Sequence, residues 1–347
     1  MAINLFEKYQ KNIETRFSQK SITQGNSTSK YTWDGSKSII LTEMQSVGLN
    51  DYVRGGANRY GTPEEVQDMQ QVLAIRLDKS YTGTIDKGNN TQQGMIKNAA
   101  KFIKMQNDEV VVPFQDTYNL KEWAMNAGAI VKASAEITSE NIKANFIAMR
   151  KHFVDKKVPV AKTCVYVSSE VYAVLLDCKF FESLEKLGVK ALTEGEVGKA
   201  MGFRIIEAPE GYLPTGVAML ATHKDAVVAP VQLKTCKVHE DAPGVRGALI
   251  EASFISDAFV IGAKADGVYT LLESSATNVV ANPAITAGTG AISCATSGAK
   301  IYYTTDGSDP RYSKTAEVYT AAVGATNGKV RACAKLDGYF PSAVVLG

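Results

Sequence analysis

The chain has 347 residues, enough for one large domain and a small one, and 45% of them are hydrophobic, the usual share for a protein that buries a core. Lys plus Arg (38) nearly balance Asp plus Glu (36), and a net charge of +2 excludes a dedicated nucleic-acid binder with a strongly basic face. No apolar run approaches the ~18 residues of a membrane span, and the opening MAINLFEKYQKNIETRF lacks the ~7–15-residue apolar centre of a signal peptide. A soluble protein made in the cytoplasm is expected.

Ile3, Phe6, Tyr9, Ile13 and Phe17 recur at helical spacing, which predicts a short amphipathic helix. Residues 18–38, SQKSITQGNSTSKYTWDGSKS, are polar and aperiodic, so residues 1–37 read as an arm. A tethered helix of this kind packs either onto a neighbouring subunit, through side chains such as Phe6 and Ile13, or back onto its own domain. Residues 38–45 and 71–85 read as two extended runs. In the second, Leu73, Ile75, Leu77 and Tyr81 share one side, with Arg76 and Asp78 on the other. The Gly- and Asn-rich stretch between the runs suits turns. A two-stranded arm is marginal alone in water and calls for a partner surface. Tyr52, Arg54, Arg76, Asp78 and Tyr81 are therefore candidates for contacts between subunits.

Helices are predicted over residues 91–106 and 120–132, the second with a stripe of Leu120, Trp123, Ala124, Ala127 and Val131. Thr138 or Ser139 is placed to cap the next helix, in which Ile142, Phe146, Met149 and Phe153 share a face before Val158-Pro159 ends it. The pattern then becomes mixed. Residues 163–167 read as a buried strand and 170–176 and 180–187 as short helices. Strands follow at 203–206, 217–221, 226–238 and 248–254. The fold class is α+β.

Residues 274–283 form a composition break. Beyond residue 277 the chain is rich in Ala, Thr, Gly and Tyr, with short strands at 291–295, 301–305, 318–322, 330–334 and 342–346, the pattern of a small all-β sandwich. Five cysteines, scattered and odd in number, imply reduced thiols. Alternation puts Cys333 outward with Arg331 and Lys335, away from Ala332 and Ala334, which argues against a bridge to Cys294.

Recognisable catalytic chemistry is not found. Residues 193–200, TEGEVGKA, have Thr193 and Ala200 where a phosphate loop needs Gly and Ser or Thr. His152, His223 and His239 fit no metal-ligand pattern, and there is no GxSxG elbow. Asp257, in an apolar strand-like run, reads as a structural carboxylate bonded to backbone or paired with Arg or Lys. Tyr303, Tyr312 and Tyr339 are candidates for weak surface adhesion to glycans, and tyrosines of the same module also serve as core. The expectation is a non-enzyme without cofactor or metal.

Five segments occur in a telling order: GLNDYVRGG (48–56), IRLDKSYTGTID (75–86), VPVAKTCVYVSSEVY (158–172), GFRIIEAP (202–209) and SDAFVIGAKADGVY (256–269). Together they resemble the major capsid proteins of tailed bacteriophages, with the Hong Kong 97-like fold, over residues 39–272. The segment IYYTTDGSDPRYSKTAEVY (301–319), with VRACAKLDGYFPSAVV (330–345), resembles the immunoglobulin-like module at the C-termini of chitobiase-type enzymes. The first resemblance implies an N-terminal arm (1–37), a capsid domain (38–276) with an extended loop at about 38–88 plus peripheral and axial domains, and an outer module at 277–347. It implies a virion protein that assembles with itself into hexamers and pentamers around double-stranded DNA, without sequence-specific binding and without a membrane. A portal protein and, given the short N-terminal region, a separate scaffolding protein are its expected partners. Some members of the family crosslink a Lys of the extended loop to a neighbour's Asn; Lys79, Lys87, Asn50 and Asn58 are available here, and no motif singles out a pair. The C-terminal module reads as a fused decoration whose removal leaves shells that still form. An encapsulin-type compartment is the alternative with the same fold, and a secreted carbohydrate-active protein the alternative of another class.

Overall fold

A computed structural model describes residues 20–347 except 32, 34–36, 45, 56–57, 64, 67, 89–97, 179–195, 241, 287 and 325–327. The predicted N-terminal helix, with Phe6 and Ile13, and the predicted helix at 180–187 lie outside the described residues, whereas 196–200 of the phosphate-loop-like stretch form a strand.

Strand β1 (Ser38–Met44) pairs antiparallel with β2 (Asp68–Ala74), Ser38 opposite Ala74 and Met44 opposite Asp68. This ribbon ends sooner than the sequence suggests. The run at 71–85 breaks at Ile75 and Arg76, and β3 (Leu77–Asp86) enters a different sheet. The reason is Asp257, which accepts from both the Arg76 backbone N–H and its guanidinium and turns the chain.

Two helices follow nearly end to end. Helix α1 (Ala99–Gln106) starts at Asn98, whose side chain accepts from Ala100 N at 2.8 Å, and α2 spans Val112–Met125. Between them lies a π-helical turn, Asn107–Val111, in which Val112 N–H donates to the Asn107 carbonyl. Pro113 stands just after it. Its ring has no N–H and would crowd a tight turn; the wider π turn accommodates it and the helix continues. Helical structure therefore runs through residues 107–119, which the sequence reading left unassigned. It also stops earlier than residue 132. Strand β4 (Ala129–Lys132) begins after Gly128, so Leu120, Trp123, Ala124 and Ala127 are buried as predicted, whereas Val131 is a strand residue with an exposed side chain. A Cβ at residue 128 would sit 2.2 Å from the Ala265 carbonyl oxygen, so glycine is required for that approach.

Helix α3 (Ile142–Asp155) buries the four side chains predicted. Neither Thr138 nor Ser139 caps it. Asn141 occupies the cap position, and its side chain is engaged with Thr138 N and the Glu136 carbonyl instead. Then come β5 (Thr163–Ser168) and α4 (Ser169–Asp177), capped by Ser168, followed by β6 (Glu196–Ala200), β7 (Phe203–Ala208) and β8 (Val217–His223). Next are β9 (Val227–Val228), β10 (Val231–His239), β11 (Gly247–Ser256), β12 (Phe259–Val260) and β13 (Val268–Leu272).

Six strands form the main sheet in the order β4-β13-β8-β5-β7-β6. Helices cover both faces, which is why β5 and β8 are buried almost end to end instead of alternating. Cys164 and Tyr166 of β5 point toward α2 with Leu120 and Trp123; Val165 and Val167 point toward α3 with Phe146 and Met149. A three-stranded antiparallel sheet, β10-β11-β3, lies apart from it.

The C-terminal strands are β14 (Ala284–Thr286), β15 (Ala291–Ser293), β16 (Lys300–Thr304), β17 (Glu317–Val318), β18 (Arg331–Lys335) and β19 (Val345–Leu346). They form a β14-β15 pair and a β17-β16-β18-β19 sheet, close to the strands read from sequence. Cys333 is not outward. It is fully buried between Ala332 and Ala334, because the loop after β16 folds over the other face of β18. Lys335 Nζ reaches the Arg311 carbonyl in that loop. All five cysteines are free thiols.

Candidate assembly surface

The β1-β2 ribbon has two unlike faces. Cross-strand partners share a face in an antiparallel pair. Ile39 opposite Leu73 and Leu41 opposite Gln71 face the body, where Ile39, Leu41 and Leu73 join Trp33, Ile75, Val228 and Ile261 in a small core. Ile40 opposite Val72, and Met44 opposite Asp68, face away and are exposed.

Beyond the ribbon, described residues between 46 and 66 contact one another. Val53 N bonds the Arg59 carbonyl, Gly61 N bonds the Asn58 carbonyl, and Tyr52 packs edge-on to Tyr60 with centroids 5.1 Å apart. Leu49 is fully exposed, and Tyr60 and Met44 are 83% and 76% exposed. Among the described residues, nine of the twenty exposed large apolar side chains lie between residues 40 and 72. That concentration, in about a tenth of the chain, marks the segment as apolar surface largely left uncovered by the rest of the subunit.

The ribbon's base is held by polar groups. Gln71 behaves like a strand in miniature: its Nε2 donates to the Val260 carbonyl at 2.9 Å and its Oε1 accepts from Gly262 N at 2.7 Å. Asp257 is 1% exposed and accepts five hydrogen bonds, from Arg76 N, Nε and Nη2, Tyr118 hydroxyl and Ala258 N, at 2.8–3.3 Å. Arg76 also pairs with Glu122 at 2.9 Å. The hydrogen bond to Asp257 pushes the Arg76 guanidinium pKa up, against the effect of burial, and burial followed by the same carboxylate raises that of the Tyr118 phenol. With its oxygens so occupied, Asp257 is the structural carboxylate expected from sequence.

A second buried carboxylate was missed. Asp116 of α2 accepts from Ser21 Oγ (2.6 Å), Thr23 Oγ1 (2.5 Å) and the backbone N–H groups of Ile22 (2.9 Å) and Thr23 (3.4 Å). It pins the segment after residue 20 onto the helix, and Ile22 enters the main core. The polar stretch is therefore not a free tether in its described part. The signal was available: Asp116 stands four residues before Leu120 and seven before Trp123, on the buried stripe.

The predicted contact residues do not converge on one spot. Tyr52 and Arg54 lie exposed at the ribbon's far end, while Arg76 is engaged within the subunit by Asp257 and Glu122 although its side chain stays largely exposed. Asp78 is exposed on β3, and Tyr81 is half-buried in a groove against Ile103 and Val111. Of the candidate adhesion tyrosines, Tyr339 is exposed, and Tyr303 bonds Glu317 at 3.0 Å. Tyr312 instead points inward, its hydroxyl on the Asn126 carbonyl at 2.7 Å and its phenol pKa raised by burial, which leaves Tyr303 and Tyr339 on the surface of the module. Among the described residues no three His, Cys, Asp or Glu side chains group as metal ligands, and no helix is long and apolar enough to cross a membrane.

No curated protein sequence matches the chain. The family described as Fn3 associated matches residues 291–346. Solved structures resemble the rest. A chain from Mycobacterium phage Che8 aligns at 17% identity and TM-score 0.62, covering 78% of this chain and 98% of that one. The capsid structure of cyanophage P-SCSP1u aligns at 14% identity and TM-score 0.63, covering 79% and 94%. The mature capsid of bacteriophage PhiM1 aligns at 15% identity and TM-score 0.59, covering 80% and 93%. The body of this chain thus has the Hong Kong 97-like fold of phage capsid proteins, followed by an Fn3-associated β module.

Proposed function

We propose that this chain is the major capsid protein of a tailed bacteriophage, tiling an icosahedral head shell around double-stranded DNA. The observation that carries this reading is the apolar ribbon surface, residues 40–72, raised on a body with a capsid fold and unsatisfied within one subunit. Burying such side chains on a neighbour yields ~25 cal/mol per Å² of apolar surface. Repeated heterologous contacts that close generate rings of six and five. The near-neutral charge fits a genome held by enclosure. A scaffolding protein and a portal protein are the partners such a shell requires. The C-terminal module belongs on the outer surface, where ~70 added residues do not obstruct the DNA, and Tyr303 and Tyr339 are its candidates for weak glycan contact.

Electron microscopy of the full-length chain, expressed alone and with its neighbouring genes, tests this. Closed icosahedral shells are expected, with DNA in particles from infected cells. A monodisperse monomer under every co-expression condition refutes assembly. Shells filled with protein cargo in place of DNA refute the phage assignment.

A further inference from the structure

Sequence composition makes the residues beyond 277 a removable decoration; the contacts across that boundary say otherwise. Phe340 is fully buried, and it belongs to the same core cluster as Leu120, Trp123 and Leu272. The connecting chain is anchored at several points. Ala276 and Val280 are buried, Lys132 Nζ donates to the Ala276 carbonyl at 2.7 Å, and Asn278 Nδ2 donates to the Thr215 carbonyl at 3.2 Å. A mobile linker would show none of these.

The loop after β16 makes the more specific contacts. Buried backbone carbonyls need donors, and the turn between α2 and β4 cannot supply its own. In that turn the donors come from far along the chain. Arg311, held by Asp309 at 2.8 Å, donates Nη1 to the carbonyls of Ala127 (2.9 Å) and Gly128 (3.1 Å). Tyr312 supplies the third bond, to the Asn126 carbonyl. Two residues on, Lys314 N–H donates to the Gln70 carbonyl of β2 at 2.8 Å. Tyr312 also packs tightly on Gly262, where a Cβ would lie 2.8 Å from the Tyr312 Cβ, and Gly262 N is the donor that holds Gln71. One short loop thus grips both the end of α2 and the base of the ribbon.

We infer that residues 309–314 are a brace that fixes the ribbon relative to α2, so that the module positions the assembly surface and shell formation depends on it. The dependence of shell formation rests on the capsid reading; the bracing is a property of the single subunit. Hydrogen exchange on the unassembled full-length chain reads the brace, using Arg311→Ala and Tyr312→Phe. Loss of these bonds is expected to speed exchange about tenfold at the amides of 68–74 and 126–132, while β16 and β18 keep their protection. Unchanged exchange at both segments in both variants overturns the brace. Should Arg311→Ala unfold the module, seen as lost protection in β16 and β18, Tyr312→Phe decides alone, because it keeps the ring and removes only the hydroxyl. Microscopy of the same full-length variants reads the consequence. Aberrant or absent shells are expected, and shells of unchanged diameter and yield from both variants overturn the dependence. A wild-type chain that never closes a shell refutes the capsid reading and leaves exchange to judge the brace.

Discussion

Replacing Asp257 tests whether a buried carboxylate, and not the ribbon's apolar contacts, holds the turn between β2 and β3. In Asp257→Ala five hydrogen bonds are lost. Two of the donors belong to Arg76's guanidinium, whose side chain is 60% exposed and still pairs with Glu122; water replaces much of that loss, so it is discounted. The remaining three, Arg76 N, Ala258 N and the Tyr118 hydroxyl, are left facing a buried void. At ~1–3 kcal/mol for each orphaned buried donor, with partial relaxation, the expected destabilisation is ~3–5 kcal/mol. Asp257→Asn keeps the volume but turns an NH₂ toward donors, and ~2 kcal/mol is expected. Tyr118→Phe removes one bond and costs ~1 kcal/mol. Urea unfolding of unassembled subunits by tryptophan fluorescence is well placed to measure this. The chain's two tryptophans report on the site: Trp33 stacks on Phe259, and Trp123 follows Glu122. A cost below ~1 kcal/mol for Asp257→Ala would show that the turn is held by apolar packing, and the reasoning above would fail.

Three further outcomes are expected. Ile40→Lys with Val72→Lys, both on the outward face, should leave subunit stability within ~0.5 kcal/mol of wild type yet cut shell yield in a light-scattering assembly assay; undiminished yield would remove that face from the interface. Under native conditions an alkylating reagent should modify exposed Cys236 and spare buried Cys164, Cys178 and Cys333, the last with its thiol pKa raised by burial to about 11; mass mapping that finds Cys333 modified first would contradict the packing of the module. Burial raises the pKa of the Tyr118, Tyr166 and Tyr312 phenols above the ordinary value near 10, so their contribution to stability is complete below pH ~10 and is lost as pH climbs, because the unfolded chain ionises first. Stability measured from pH 8 to 11 should fall at the alkaline end, and the fall should shrink in Tyr118→Phe; an alkaline rise in stability would be the wrong sign.

What could be read from the sequence was set by whether a local pattern matched a local cause. The α3 stripe Ile142, Phe146, Met149 and Phe153 comes from periodicity and holds because it faces one continuous layer; the β5 strand comes from an unbroken apolar run and holds because helices cover both of its faces. Asp257 was readable because a charge inside an apolar run has few alternatives to being paired. The errors arise where a distant residue decides. Nothing local to residues 71–85 says that the run divides between two sheets; Asp257, some 180 positions later, divides it. The end of α2 was placed too late because the turn that follows it, with Gly128 pressed against Ala265, is completed by Arg311 and Tyr312 from far along the chain. Cys333 obeys alternation, but the face it points to is covered by a loop, and alternation cannot report a cover. Pro113 is the converse case, a local breaker tolerated because a π turn widens the helix ahead of it.

On the proposed capsid reading, these non-local polar contacts also separate two energies that the subunit must keep apart. At the base of the ribbon nearly every polar group named is satisfied inside the subunit, by Gln71, Asp257 and the 309–314 loop, so the ribbon's direction does not wait for a neighbour. At its far end the apolar side chains are unsatisfied, and leaving them so costs the isolated subunit little because they were equally exposed when unfolded. A side chain such as Leu49 or Tyr60 gains ~1.5–3 kcal/mol only when a second copy covers it. Joining two subunits loses roughly 4–15 kcal/mol of rotational and translational freedom, so several such side chains must be covered together before a contact is favourable. A ribbon with a loose base would add its own ordering entropy to that cost. Fixing the base in the monomer removes that addition, and it follows that a weakened base should reduce assembly even when every outward apolar side chain is intact.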